Sequence, residues 1–239
     1  MSKAFNRAWE LIFTGDKVIW DIIFRTLKMS LTSSLIAFAI GSLFGVLLAI
    51  FKFPGQRFII RINKTLMGLP PVLAGLVVFI LLSGTGLLGK YRLIFTMTAM
   101  VIAQVILITP IIVGMTESFA ASVAPRMLAV TKGMNVGKLK TIALMFNESK
   151  YQLVSIYLMG FSRAIAEVGA VTLAGGSIAN KTEVMTTAIM DYTNMGNFGY
   201  ALGLGLMLLF LSLVVNGLVT FTQEVRRENS FLHKIRKQK

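Results

Sequence analysis

The chain has 239 residues, 55% of them hydrophobic, and a mean hydropathy of +0.75, which is too apolar for an ordinary soluble domain. A formal net charge of +14 would suit a nucleic-acid binder, but the basic residues cluster between long apolar blocks, so no nucleic-acid partner is expected. The absence of cysteine excludes disulfides and thiolate metal sites.

Crossing a bilayer takes about 20 consecutive apolar residues. Charge-free stretches run from Met29 to Phe51, Thr65 to Gly89, Leu93 to Thr116 and Tyr192 to Gln223, and a fifth block, Tyr151 to Asn180, is broken only by Arg163 and Glu167. The pattern predicts an all-α integral membrane fold with five spans, at about 22–51, 62–84, 92–116, 151–176 and 196–223. The transmembrane domain is expected over 19–225. It is preceded by an extracytoplasmic interfacial segment, 1–18, and followed by a basic tail, 226–239. Lysines and arginines are denser after the first span, after the third and in the tail than in the other loops. By the positive-inside rule the N-terminus lies outside and the C-terminus in the cytoplasm, as an odd number of spans requires. The first sixteen residues carry Lys3, Arg7, Glu10 and Asp16 and no apolar core, so no signal peptide is expected and the first span would serve as its own insertion signal.

Along the chain, Phe5, Trp9, Ile12 and Phe13 share one helical face. That suits a helix lying in the outer interface or, alternatively, an extension of the first span. Gly41 and Gly45 form a GxxxG pattern that allows close helix approach. Phe53-Pro54-Gly55 reads as a turn, and Gly68-Leu69-Pro70-Pro71 breaks regular hydrogen bonding at the start of the second span. Freed carbonyls at that depth survive only where protein or a water-filled path satisfies them, so the break either lines a pathway or is a packing kink. Pro110 is a lone kink in the third span.

The third span is expected to end near Glu117, and the polar, basic region 124–150 follows. Met127 to Gly133 reads as one short helix stopped by the glycine, with Leu128 and Thr131 on one face. Val136 to Phe146 reads as another, with Leu139, Ile142, Ala143 and Phe146 at i, i+3, i+4 and i+7. Two such helices would lie across the cytoplasmic surface, as simple connecting helices or seated in a groove of another protein.

In the fourth span Arg163 and Glu167 stand at i and i+4 and can pair, among small residues that suit tight packing or a pore. No nucleophile or metal-ligand set accompanies them, so no catalytic or metal residues are expected. The only histidine, His233, sits in the basic tail. Beyond this span, Gly175 to Thr182 is a loop of small and hydroxyl residues, and Met185 to Met190 is expected to form a helix returning toward the membrane.

Met127 to Phe146 is similar to the cytoplasmic signature of bacterial ABC importer permeases: Glu-Ala-Ala, three residues, Gly, nine residues, Ile-x-Leu-Pro. Gly133 matches the glycine and Ala129 the second alanine, whereas Met127 replaces the glutamate and Phe146 the proline. With Asn63 to Gly75 (NKTLMGLPPVLAG), Gly160 to Gly176 (GFSRAIAEVGAVTLAGG) and Met185 to Ile189 (MTTAI), the chain resembles the tungstate-type permeases, relatives of the molybdate and sulfate permeases, from about Asp21 to Val225. The resemblance implies the type I importer fold in a prokaryotic cell membrane. It also implies a second copy of the chain embedded with it in membrane lipid, two cytoplasmic ATPase subunits that carry ATP and magnesium, and an extracytoplasmic oxyanion-binding protein. Met127, Leu128, Ala129, Gly133, Leu139, Ala143 and Phe146 would then couple to the ATPase, and Gly68, Pro70, Pro71, Arg163, Glu167 and Thr172 would be pathway or gate candidates.

The chain has no GxxxxGK[ST] phosphate loop, so it is not itself the ATPase, and no cofactor is expected in it. The alternative, a self-sufficient secondary carrier or channel, would be driven by ion gradients and would usually show inverted repeats, which are absent from the sequence. A membrane enzyme would need clustered His, Asp or Glu.

Overall fold

A computed structural model describes residues 7–10 and 14–236, with side chains through Gln223. Among them the chain is all-helical: α1 (Lys17–Ile50), α2 (Gln56–Leu66), α3 (Pro71–Leu82), a 3₁₀ turn (Gly89–Tyr91), α4 (Met97–Gly133), α5 (Lys138–Glu148), α6 (Lys150–Ile165), α7 (Gly169–Gly175), α8 (Met185–Asn194) and α9 (Phe198–Arg236). Three helices are long and apolar enough to cross a membrane: α1, α4 and Phe198–Gln223 of α9. There are up to five spans if the broken pairs α2 with α3 and α6 with α7 each make one. Of the expected outer interfacial helix, 7–10 form a helical turn with Trp9 exposed; Phe5, Ile12 and Phe13 lie outside the described residues, as do the side chains of the basic tail and His233.

The local reasons are legible. Asp16 Oδ1 accepts the backbone N–H of Val18 at 2.9 Å and of Ile19 at 3.2 Å, which caps the start of α1. Gly55 adopts φ +88 in the expected turn, a conformation that favours glycine. Pro70 is extended and Pro71 is the first residue of α3, the helical position where a missing N–H costs least.

The chain divides into two compact units. The first comprises Met1–Ser34, Leu69–Leu107 and Phe161–Val214. One of its clusters joins Ile19, Ile22 and Ile23 to Met185, Ala188 and Leu204, and another joins Val78 and Leu82 to Ala99, Ala103, Ala170 and Ala174. The second comprises Leu35–Gly68, Ile108–Gly160 and Val215–Lys239. There the GxxxG face of α1 packs on α4: a Cβ at Gly41 would lie 2.8 Å from Ile112 Cγ2, and one at Gly45 2.6 Å from Thr116 Cβ. Val46, Ile50, Ala120, Ala124 and Met145 form the core beside them, and the Phe38 and Tyr157 rings meet edge to face at 5.5 Å.

Two elements differ from expectation. The third helix does not stop near Glu117 but runs unbroken to Gly133, through Pro110 and Pro125. Its extension is held by packing, because Val123, Met127 and Leu128 lie against the core at the end of α1. The block from Tyr151 to Asn180, expected to hold the fourth span, is not one helix; it breaks at residues 166–168 and the two parts are bent by 60°.

Candidate functional site

The break between α6 and α7 falls at the charged residues. Glu167 lies in the break itself, yet its Oε2 is 2.8 Å from Arg163 Nη1, so the expected pair forms, without hydrogen-bond alignment. Glu167 Oε1 accepts the backbone N–H of Ala170 at 3.2 Å, which satisfies one open donor at the start of α7. The two partners differ in access: the Glu167 side chain is 2% exposed and that of Arg163 37%.

Interrupting a helix at this point frees carbonyls, and side chains from other elements occupy them. Gln104 Nε2 on α4 donates to Ala164 O at 2.8 Å, and Ser33 Oγ on α1 donates to Gln104 Oε1 at 2.6 Å. Thr186 Oγ1 on α8 donates to Glu167 O at 2.8 Å. Ser33, Gln104, Glu167 and Thr186 are all buried. The result is a polar chain through an apolar unit that engages the Ala164 and Glu167 carbonyls at the break, as membrane depth favours. Gln104 and Ser33 were not singled out from the sequence. The available signal was Gln104 itself, the one amide in the charge-free stretch Leu93 to Thr116.

Two glycines bring the second broken helix close. A Cβ at Gly75 of α3 would lie 2.7 Å from the Ala170 Cα, and one at Gly169 2.7 Å from Val72 Cγ2, so α3 and α7 pack backbone to backbone. Pro70, Pro71, Arg163, Glu167 and Thr172 therefore belong to one unit, where α3 begins beside the α6–α7 break. Thr172 Oγ1 donates to Val168 O at 2.8 Å within its own helix. Gly68 belongs to the other unit, where its N–H donates to Thr65 O at 3.1 Å. There Asn63 Nδ2 donates to Pro110 O at 3.0 Å, and Gly114 accommodates Met67.

The turn from α4 to α5 is built differently. Asn135, not Gly133, takes the left-handed backbone at φ 54, and a Cβ at Gly133 would meet nothing within 4 Å. Helix α5 buries Thr141 and Met145, with Ile142 and Phe146 packed alongside. Leu139 and Ala143, placed by periodicity on the same stripe as Ile142 and Phe146, are exposed, Leu139 to 84%. Met127 and Leu128 are half-buried against the end of α1, and Ala129 is exposed.

A third cluster ties α1 to the segment between α7 and α8. Arg25 Nε donates to Glu183 O at 3.1 Å, the backbone N–H of Met185 donates to Thr26 Oγ1 at 2.9 Å, and Ser177 Oγ donates to Asp191. Burial pushes the Glu183 carboxyl above its ordinary range, against the opposing pull of Arg25. Among the described residues no group of His, Asp and Glu could hold a metal ion.

Apolar helices interrupted where other protein groups satisfy the backbone are the build of a membrane transport protein. No family model matches the chain. It is 37% identical to the tungstate uptake system permease protein TupB of Peptoclostridium acidaminophilum, over 94% of this chain and 98% of that protein. It is 32% identical to the TupB of Campylobacter jejuni, over 89% of each. A probable anion ABC transporter permease of Haloferax volcanii is 35% identical over 81% of this chain and 85% of its own length. The chain belongs to this family of ABC-type anion uptake permeases, as a multi-pass membrane protein.

Proposed function

We propose that the chain is the permease subunit of an ATP-driven importer for tungstate, with molybdate, nearly equal in size and charge, as a second cargo. The observation that carries this is the 37% identity to a tungstate uptake permease across almost the full length of both proteins. Two copies form the pathway, each crossing the membrane five times with its N-terminus outside, and each engages a cytoplasmic ABC ATPase that binds ATP and magnesium. An extracytoplasmic binding protein delivers the anion. The end of α4 and helix α5 are the coupling helices. The exposed Leu139 and the open space at Gly133 support that role, because they leave a surface that another protein can approach.

The breaks at Pro70-Pro71 and at residues 166–168 are the pathway candidates. Arg163, more exposed than the Glu167 it pairs with, retains access for an anion in transit. Weak binding suits a permease, which has to release its cargo, and the single, partly exposed guanidinium of Arg163 provides it without a fixed cation cage.

The test is vanadate-sensitive uptake into proteoliposomes containing this chain, its ATPase and its binding protein, with tungstate, molybdate and sulfate in competition. Uptake that needs all three components, with tungstate the strongest competitor, is expected. Uptake by the chain alone without ATP would overturn the proposal in favour of a carrier.

A further inference from the structure

The second unit holds a cavity of about 360 Å³ beside the proposed coupling segment, and its lysines have no part in the transport reading. Its walls are Ile50, Phe51 and Lys52 at the end of α1, Leu128, Thr131 and Lys132 at the end of α4, and Val136, Lys138 and Thr141 around the start of α5. Three lysines converge on it and no carboxylate lines it. None of the three has an ion-pair partner among the described residues; Lys138 Nζ instead stands 5.8 Å from the centre of the Phe51 ring.

Each lysine taken singly has a local explanation. Lys132 lies in the last turn of α4 and Lys52 just beyond α1, where helix carbonyls favour a cation. Helix carbonyls do not account for Lys138, at the opposite end of a helix, nor for all three meeting at one cavity. The hydroxyls of Thr131 and Thr141 donate to Met127 O and Gly137 O, so the ammonium groups are the free donors of the lining side chains. The rest of the wall is apolar, and Ile50 and Phe51 continue the membrane-spanning helix α1.

A cavity with cationic donors at a membrane helix end and apolar walls leading from it has the chemistry of a phosphate-headgroup site. We infer that this cavity binds a phosphate-bearing anion, and that its occupant is the headgroup of an anionic phospholipid. Because α5 supplies one wall, the bound headgroup ties α5 to the ends of α1 and α4, so that lipid composition would bear on the segment we propose for coupling. The binding itself does not depend on the cargo or on the coupling role.

The experiment uses the assembled complex, or the permease alone if it purifies without its ATPase. The probes are phosphatidylglycerol or phosphatidylcholine in mixed micelles, and inorganic phosphate. The wild type is compared with K52Q/K132Q/K138Q, and with K90Q/R92Q/K181Q, which removes three positive charges elsewhere. Thermal stabilisation and lipids retained on native mass spectrometry are read together. Phosphatidylglycerol is expected to be retained by the wild type and by the control variant and to stabilise both, and the lysine-pocket variant should lose affinity by roughly five-fold per lysine. Stabilisation by inorganic phosphate to the same extent would keep the anion site and overturn the lipid as occupant. Equal phosphatidylglycerol retention by all three proteins, or none by any, would overturn the site altogether. If the triple variant does not fold, K52Q alone is read instead, since Lys52 lies outside any helix and is exposed. Lipid retention is measured without transport, so its failure and a failure of the importer reading are separate results.

Discussion

The break between α6 and α7 and the turn between α4 and α5 both interrupt helices next to charged residues, but they are finished in opposite ways. At the break three other helices contribute polar groups: Ser33 from α1, Gln104 from α4, Thr186 from α8. At the turn, Gly133 has nothing near it and Leu139 is left in the open. The break is tied to the other helices of its own unit, which suits membrane depth, where an unsatisfied backbone is costly. The turn closes its own backbone, Met134, Asn135 and Val136 donating to the carbonyls of Val130, Lys132 and Thr131, but it leaves an open surface that a partner can use.

The largest expected effect sets one glycine of each region against the other. Gly75→Leu forces a side chain into the backbone of Ala170, where neither helix can yield, and should cost about 3 kcal/mol or more, enough to abolish a sharp thermal transition. Gly133→Ala meets nothing, so its melting temperature in detergent should stay at or slightly above that of the parent. Equal destabilisation by the two would erase the distinction between a closed and an open region.

Gln104→Leu comes next. It removes two buried hydrogen bonds, leaving Ser33 Oγ with Ser30 O and the Ala164 carbonyl with the Glu167 N–H, at about 1–2 kcal/mol, read as a lower unfolding midpoint. Glu167→Ala, which strands Arg163 and uncovers the Ala170 N–H, should cost about 1–2 kcal/mol. Arg163 is partly exposed and water offsets part of its loss. An unchanged midpoint in either variant would mean that the break is held by packing alone.

Leu139→Glu sharpens the contrast from the other side. On an exposed position it should move stability by no more than about 0.5 kcal/mol, yet it should lower ATP-dependent uptake and weaken co-purification with the ATPase. Unimpaired uptake would remove α5 from the coupling surface.

How much of this could be read in advance follows from what each signal depends on. The apolar blocks, the Gly41–Gly45 face and the proline break are local in sequence, and each reappears as a helix, a close contact with α4 or a helix start at Pro71. The pairing of Arg163 with Glu167 was also legible, though by helical spacing, whereas the structure makes the pair across a break. The break was not legible because nothing in Arg163 to Gly169 resembles a proline stop, and one group that braces it, Gln104 on the Ala164 carbonyl, lies 60 residues away in sequence. The length of α4 was missed for a similar reason. The polar run after Glu117 looks like the end of a span, but Met127 and Leu128 find the end of α1 to pack on. The stripe on α5 was read with the right period and only part of the right face, because Met145 rather than Leu139 meets the core.

The smallest effect concerns Glu183, where the segment before α8 meets α1. Its carboxyl is raised above the ordinary 4.5 mainly by burial, more than the Arg25 guanidinium, 3.9 Å away, can offset. A raised folded-state value means that the fold favours the protonated acid. That contribution is fully present below the ordinary value and is lost as pH rises through the raised one. The contacts of Arg25 with Glu183 O and of Thr26 with the Met185 N–H do not titrate with Glu183, so they hold the segment on either side of the change. Amide exchange of residues 177–184 should therefore quicken modestly from acid to neutral pH after correction for intrinsic exchange, while α8 stays protected. Glu183→Gln keeps the neutral form at every pH and should flatten that dependence. A slope of the same size in Glu183→Gln would mean that the Glu183 carboxyl is not its source.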